Sequence, residues 1–316
     1  MWFVYALLTM LAWGTADLFY KKGADDGERY SHLKTSMMVG LVMGIHAICT
    51  LIFSDIHYDF RNLYIYLPVS AMYILSMTVG YFGLRYLDLS ISSPIQNSSG
   101  IVVTILCFFV LGQRIEGLPT WVAMILISGG VLALGFLEKK DDSDRLKEGE
   151  RKYRIGFVAF FMPILYCIID ALGTFLDAYY LDDVNTTLLV GVTEETFEDV
   201  ANVSYELTFL AVAVVLFLYV YVIRREPIIP RKKEEKVGQG VRLGAAVFET
   251  AGQFVYVRAM SGNGMIAAPM IAAYSIVSII LSRIFLKEKL PLAQYLAVGV
   301  ILLGIIILGV LEGIAE

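Results

Sequence analysis

The sequence predicts an all-α integral membrane protein of ten transmembrane helices arranged as two inverted five-helix repeats. Three observations carry that prediction. The 316 residues are 58% hydrophobic and 17% charged, against roughly 45–50% and about 25% in soluble domains, and the apolar residues fall in runs of about 20, the length of a bilayer-crossing helix. The Lys and Arg residues collect in alternate connectors between those runs. The second half of the chain repeats the pattern of the first.

The first run, 2–20, opens MWFVYALL without a basic n-region or a small-residue cleavage site and continues through Trp13 and Asp17 to Lys21-Lys22, so it reads as a retained first helix. The second, 35–53, contains Gly40 and Gly44, a small-xxx-small spacing that lets two helix backbones approach. Runs 63–86 and 94–111 carry Pro68 and Pro94, which packed membrane helices tolerate. Then come 119–137, 155–180 with Pro163, 205–223, 241–260, 265–286 with Pro269, and 291–312. Membrane strands would alternate apolar and polar residues, whereas ILISGGVLALGFL and GVILLGIIILGV are apolar on every face.

The connectors fix an orientation. Segments 138–154 and 224–240 are rich in Lys and Arg, while 181–204 holds the acids Asp182, Asp183, Glu194, Glu195, Glu198 and Asp199 and no base. Counting each Lys and Arg with its nearest connector, odd-numbered connectors take 22 of the 25 bases and even-numbered ones take 3. The positive-inside rule therefore places odd connectors in the cytoplasm, and both termini and the acidic 181–204 loop outside, in a multi-pass cell-membrane protein. The sequons at Asn185 and Asn202 fall in that loop and read as chance matches. The net charge of −5 excludes a general nucleic-acid footprint. Cys49, Cys107 and Cys167 each sit in an apolar run without metal-ligand spacing, and they read as small core residues with no metal.

Setting Pro94 against Pro269, an offset of 175, aligns two spans and their connector without a gap: Gly112-Gln113-Arg114-Ile115 falls on Lys287-Glu288-Lys289-Leu290, and Gly129 on Gly304. Gly14-Thr15 with Asp17 echoes Gly173-Thr174 with Asp177, and Gly80-Tyr81-Phe82 echoes Gly252-Gln253-Phe254. The repeat divides the chain into 1–138, a basic linker 139–153, and 154–316. Five spans is an odd number, so the second copy enters the membrane in the opposite sense. Inverted repeats allow two conformations of nearly equal energy around a midplane site, which is the geometry of alternating access.

Ala12-Trp13-Gly14, the Gly112-Gln113-Arg114 and Lys287-Glu288-Lys289-Leu290 junctions, and the Gly-spaced spans after each junction resemble the drug/metabolite transporter superfamily, in its form with two EamA-type domains of five helices. The resemblance covers nearly the whole chain. It implies movement of small solutes, among them amino acids, sugars, nucleotide conjugates and toxic compounds, often as export. Two departures stand out. The first junction usually carries Glu after its Gly and here has Gln113, which leaves a carboxylate role only to Glu288; and many ten-span relatives hold both termini in the cytoplasm. The YSHLKT stretch at 30–35 is similar to sugar-uptake branches of the superfamily.

A charge at the centre of a span costs at least about 2.5–3.5 kcal/mol, so such residues mark function by default. Asp170, Thr174 and Asp177 follow at i, i+4 and i+7 on one face of the sixth span, and Glu249, Gln253 and Tyr256 repeat that spacing in the eighth. Trp13 and Asp17 share a face of the first span, and Tyr81 and Arg85 a face of the third. These predict a polar cavity with Trp13, Tyr81 and Tyr274 as aromatic walls, and with Asp170, Glu249, Gln253 and Asp17 orienting a polar or cationic solute. Interhelical hydrogen-bond clamping is the structural alternative for each. His46, mid-span in the second helix, has the chemistry of a proton relay or of a bonded core residue, and buried carboxylates offer a way to couple a proton to solute movement. Ser92, Ser93, Gln96, Asn97, Ser98 and Ser99 cluster around Pro94, as donors to a solute or as a wetted helix cap.

The sequence has no GxxxxGK[ST], HExxH or GxSxG, so it offers no nucleotide-driven pump, no recognisable enzyme site and no cofactor. The expectation is a secondary or facilitative transporter of a small metabolite such as an amino acid, sugar or amine, working by alternating access within the lipid bilayer. The rival reading is a membrane sensor or scaffold that binds a partner through the acidic 181–204 loop.

Overall fold

Backbone N–H and C=O groups in hydrocarbon have no water to bond, so a lone apolar run satisfies them within itself as a helix. The computed structural model describes residues 1–23, 30–83, 98–146, 157–182, 188–227, 233–286 and 291–315, and among these residues there are helices and turns but no strand. The helices are α1 (Trp2–Gly23), α2 (Ser31–Phe53), the short α3 (Arg61–Ile65), α4 (Leu67–Gly83), α5 (Ser99–Leu106, continued as a π-helical turn Cys107–Leu111) and α6 (Leu118–Leu146). They continue with α7 (Phe157–Tyr180), α8 (Phe197–Phe217, continued as a π-helical turn Leu218–Ile223), α9 (Lys233–Ala272), α10 (Ser275–Leu286) and α11 (Leu292–Ala315). Six helical stretches among the described residues are long and apolar enough to cross a membrane, and Leu67–Val79 and Ser99–Leu111 are shorter apolar helices. The chain is a multi-pass integral membrane protein.

Three boundaries depart from the sequence reading. The helix expected over 205–223 begins at Phe197, because Asn202, Ser204 and Glu206 are buried against protein and polarity there does not mark a loop. Part of the acidic 181–204 segment is therefore helix. The run 63–86 is interrupted at Tyr66, and the run 265–286 at Ala273–Tyr274. Arg85, the Pro94 cluster over 92–97, the Lys287–Leu290 junction with Glu288, Asp183 and Asn185, and residues 147–153 of the linker lie outside the described residues, as do the side chains of Tyr81 and of 139–146, although α6 runs on into the linker as far as Leu146.

Helix packing follows the small residues. α1 lies along α9, α2 along α8, α4 along α7 and α6 along α11. The close approach predicted at Gly40 and Gly44 is present: a Cβ at Gly40 would stand 2.3 Å from the Phe209 carbonyl oxygen, and one at Gly44 2.5 Å from Leu210. Gly130 and Gly304 bring α6 and α11 together in the same way, against Ile301 and against Ala123 and Ile127. Gly112 ends α5 with φ 68°, the left-handed cap that glycine adopts without strain. Gln113 then donates from Nε2 to Asp182 Oδ2 at 3.1 Å, so the amide at this junction bonds a carboxylate that a Glu would repel. Large apolar side chains such as Phe109, Ile125, Leu296 and Ile306 remain exposed on the outside of the bundle.

Two interruptions in α9 position the interior. Asn263 leaves helical geometry (φ −165°, ψ 76°), and its side-chain oxygen accepts from the Ile266 N–H at 3.3 Å, capping the helix that restarts. Pro269 lacks the N–H that would bond the Met265 carbonyl four residues earlier. Thr104 of α5 supplies the substitute, donating from Oγ1 to Met265 O at 3.0 Å. Substituting Thr104→Val keeps the volume and removes that donor; the expected outcome is a loss of about 1–2 kcal/mol of stability, read as a lowered midpoint in thermal unfolding of detergent-solubilised protein. An unchanged midpoint would show that the carbonyl needs no such partner.

Candidate functional site

Helices α1, α4, α5, α7, α8 and α9 surround a cavity of about 190 Å3. That is smaller than the roughly 300–1,000 Å3 of sites for drug-sized ligands, and it suits a small metabolite. α1 contributes Trp13, Asp17 and Tyr20; α4 contributes Tyr73, Ser76 and Met77; α5 contributes Ser99 and Gly100. α7 adds Tyr166, Asp170 and Thr174, α8 adds Tyr205, and α9 with the turn after it adds Glu249, Tyr256, Ala268, Ile271, Ala272 and Tyr274. At Ala273–Tyr274 the chain ends one helix and restarts another beside the cavity. Helix discontinuities of this kind mark solute sites in transporters.

The aromatic wall is fixed from several sides. Trp13 donates from Nε1 to the Glu249 backbone oxygen at 3.3 Å. Its ring lies 4.9 Å from Tyr256, tilted by 31°, and meets Tyr274 edge-on at 6.3 Å. Gly252 makes room for it: a Cβ there would stand 2.4 Å from Trp13 Cδ1 and 2.5 Å from Nε1. Gly14 does the same for the turn, where a Cβ would stand 2.7 Å from the Tyr274 carbonyl oxygen.

The carboxylates face hydroxyls and one another. Asp170 is surrounded by the hydroxyls of Ser99, Ser76 and Tyr166. Glu249 has Asp17 and Tyr20 beside it, and Asp17 accepts a short hydrogen bond from Ser278 of α10. Among the described residues that line the cavity there is no Lys, Arg or His.

A tyrosine seam lies between the cavity and the 181–204 segment. Tyr73 OH donates to Thr174 Oγ1 at 2.9 Å and lies 2.5 Å from Tyr256 OH, joining α4, α7 and α9. One helical turn further along α7, Tyr66 donates a short hydrogen bond to the fully buried Asp177. Beyond it Asn62 holds the loop, accepting from the Val190 N–H at 2.7 Å and donating to its carbonyl at 2.9 Å.

Of the residues expected from sequence, Trp13, Asp17, Asp170, Glu249 and Tyr274 line one cavity. Gln253 is 1% exposed and stands outside the lining. Sequence reasoning did not assign Tyr20, Tyr73, Ser76, Tyr166 or Tyr205 to the site. The residues brought together come from both halves of the chain.

The model of the EamA-like transporter family matches residues 1–136 and 184–310. The chain belongs to the EamA-like transporter family. As an EamA-like protein it is a transporter and not an enzyme, and among its described residues no group of three or more His, Cys, Asp and Glu is placed to hold a metal ion. A solved crystal structure superposes on this EamA-like chain with a TM-score of 0.68 at 14% identity, covering 100% of this chain and 98% of that one, a likeness of fold alone. No curated protein matches the sequence.

A second polar pair in this EamA-like bundle lies outside the cavity lining. His46 of α2 binds both oxygens of Glu206 on α8, with Nδ1 at 2.9 and 2.8 Å, and Glu206 is fully buried. Phe254 packs edge-on against the imidazole at 5.4 Å. Toward the loop, Arg258 pairs with Asp199 at 2.6 Å and lies 3.8 Å from Glu198, so two of the acids in the 181–204 segment are matched by one of the few bases in even connectors.

Two outcomes follow from these contacts. Gly252→Ala displaces the Trp13 ring and lowers stability by about 1–3 kcal/mol, visible as a lower unfolding midpoint together with shifted tryptophan emission; unaltered emission would contradict the close fit. His46→Leu strands a buried carboxylate and costs about 3–5 kcal/mol, whereas His46→Leu combined with Glu206→Leu recovers most of that loss. Thermal unfolding of the three variants checks this, and additive losses would contradict a coupled pair.

Proposed function

We propose that the protein is a secondary or facilitative transporter that moves a small polar metabolite by alternating access around the aromatic and carboxylate cavity. The observation that carries this reading is the cavity itself: five of the expected polar and aromatic residues, drawn from both halves of the chain, meet in one space inside a membrane bundle. An interhelical clamp would leave these groups bonded to one another with no room between them.

Ten crossings in two inverted repeats, 1–138 and 154–316 with the linker 139–153 between, give this cavity its two access routes. Helix pairing supports the arrangement. If α1 corresponds to α7 and α4 to the first part of α9, exchanging the halves turns the α1–α9 contact into the α7–α4 contact, and both are present. α2 with α8, and α6 with α11, are pairs of mates that pack on each other. Gly14 and Gly173, equivalent by sequence, are each a point of close approach, to Tyr274 and Val277 and to Met72. The sorting of 22 bases against 3 supports an acidic loop outside the cell, which makes the tyrosine seam the outward gate and this state closed to the outside.

A proton is the proposed coupling ion, since Asp170 and Glu249 line the cavity and can exchange protons with whichever side it opens to. The test is transport by protein reconstituted in liposomes, with sugars, amino acids and amines offered across imposed pH gradients. Asp170→Asn and Glu249→Gln are expected to lower the rate by about 10- to 100-fold, the size expected for losing a hydrogen bond to a charged group, without unfolding the protein. Rates that ignore both the gradient and the substitutions would remove proton coupling, and failure of every solute class to move would remove the transporter mechanism.

A further inference from the structure

We infer that the cavity takes a small organic cation, in preference to uncharged or anionic solutes of the same size, with the cationic nitrogen facing Asp170 and Glu249. This rests on the transporter reading above and narrows its solute. The lining sets the sign of the charge. Asp170 and Glu249 stand on different helices with hydroxyls and a further carboxylate as neighbours, and no basic side chain among the described residues lines the space. An anionic solute would meet like charge in a low-dielectric interior with no base to receive it. A cation brings the opposite charge that this lining lacks.

The hydrogen-bonding inventory points the same way. Trp13 Nε1 is already given to the Glu249 backbone oxygen, Tyr73 OH to Thr174, and Tyr256 OH to Tyr73. Ser76 donates to the Tyr73 backbone oxygen at 2.9 Å. Several of the donors that a sugar or a carboxylate would use are thus committed within the protein, while the carboxyl groups of Asp17, Asp170 and Glu249 line the cavity as acceptors. An ammonium group has donors and no acceptor, so it matches an acceptor-rich site. Trp13, Tyr256 and Tyr274 supply aromatic rings to the same lining, and an aromatic ring attracts a cation held within about 6 Å of its centre.

The test uses the full-length protein in lipid nanodiscs and two pairs of isosteres: choline with neohexyl alcohol, in which carbon replaces the quaternary nitrogen, and tyramine with tyrosol, in which a hydroxyl replaces the amine. Glucose serves as an uncharged polyol. Binding is read by calorimetry and by thermal stabilisation. At least one cation is expected to bind about tenfold or more tightly than its neutral isostere, a step of one decade in affinity, and Asp170→Asn and Glu249→Gln are expected to remove that preference. The comparison within each pair needs no variant, so a substitution that unfolds the protein leaves it decisive. Glucose or a neutral isostere binding as well as the cations would overturn the inference and leave the transporter standing. Binding of a cation that is insensitive to both substitutions would also overturn it. If none of the five probes binds, yet amino acids or other sugars are transported in liposomes, the cation assignment fails alone; if nothing binds and nothing moves, the transporter reading fails with it.

Discussion

Asp17, Asp170, Asp177, Glu206 and Glu249 are carboxylates inside a membrane bundle, Asp177 and Glu206 fully buried and the other three lining its cavity. The energetic penalty of placing a carboxylate there dictates what surrounds each one. Ser278 serves Asp17, Tyr66 serves Asp177, and His46 serves Glu206. Asp170 and Glu249, and Asp17 on its other side, also face space, because their neighbours leave room as well as hydroxyls. The distinction between a carboxylate that fastens two helices and one that faces a solute is whether protein fills the volume in front of it.

The same constraint explains the backbone. A helix in lipid has no external partner for a freed carbonyl, so the Pro269 interruption is tolerable because Thr104 reaches Met265 O from the adjacent helix. The turn at Ala273–Tyr274 sets Tyr274 against Trp13, and Gly14 and Gly252 make the space that both need. Packing, backbone satisfaction and cavity shape are one arrangement. A side chain added at Gly252 alters a site residue without touching any solute.

Much of this was legible in the sequence. Run length and absence of periodicity placed the helices, and a charge within a run identified Asp170 and Glu249. Gly40 and Gly44 announced the α2–α8 contact. What remained hidden was helix rotation, since a run that is apolar on every face does not say which side meets its neighbours. Gln253 lies on the same stripe as Glu249 and Tyr256, yet it does not reach the cavity. Tyr73, Tyr166 and Tyr205 were lost among 19 tyrosines, most of which are equally suited to packing or to a membrane interface. Glu206 carried a signal in its i, i+4 spacing from Asn202, but polar residues near a span end read as loop until the partner helix is known.

The central claim is that one cavity opens alternately to the two sides of the membrane. Its most direct test places a single cysteine at Ser76, in a background without Cys49, Cys107 and Cys167, and measures labelling by a membrane-impermeant thiol reagent added to either side of oriented proteoliposomes. Alternating access predicts labelling from both sides, with Tyr73→Phe and Tyr256→Phe raising the rate from the side of the 181–204 segment as the seam loosens. Labelling from one side only, unchanged when the seam is weakened, would contradict it.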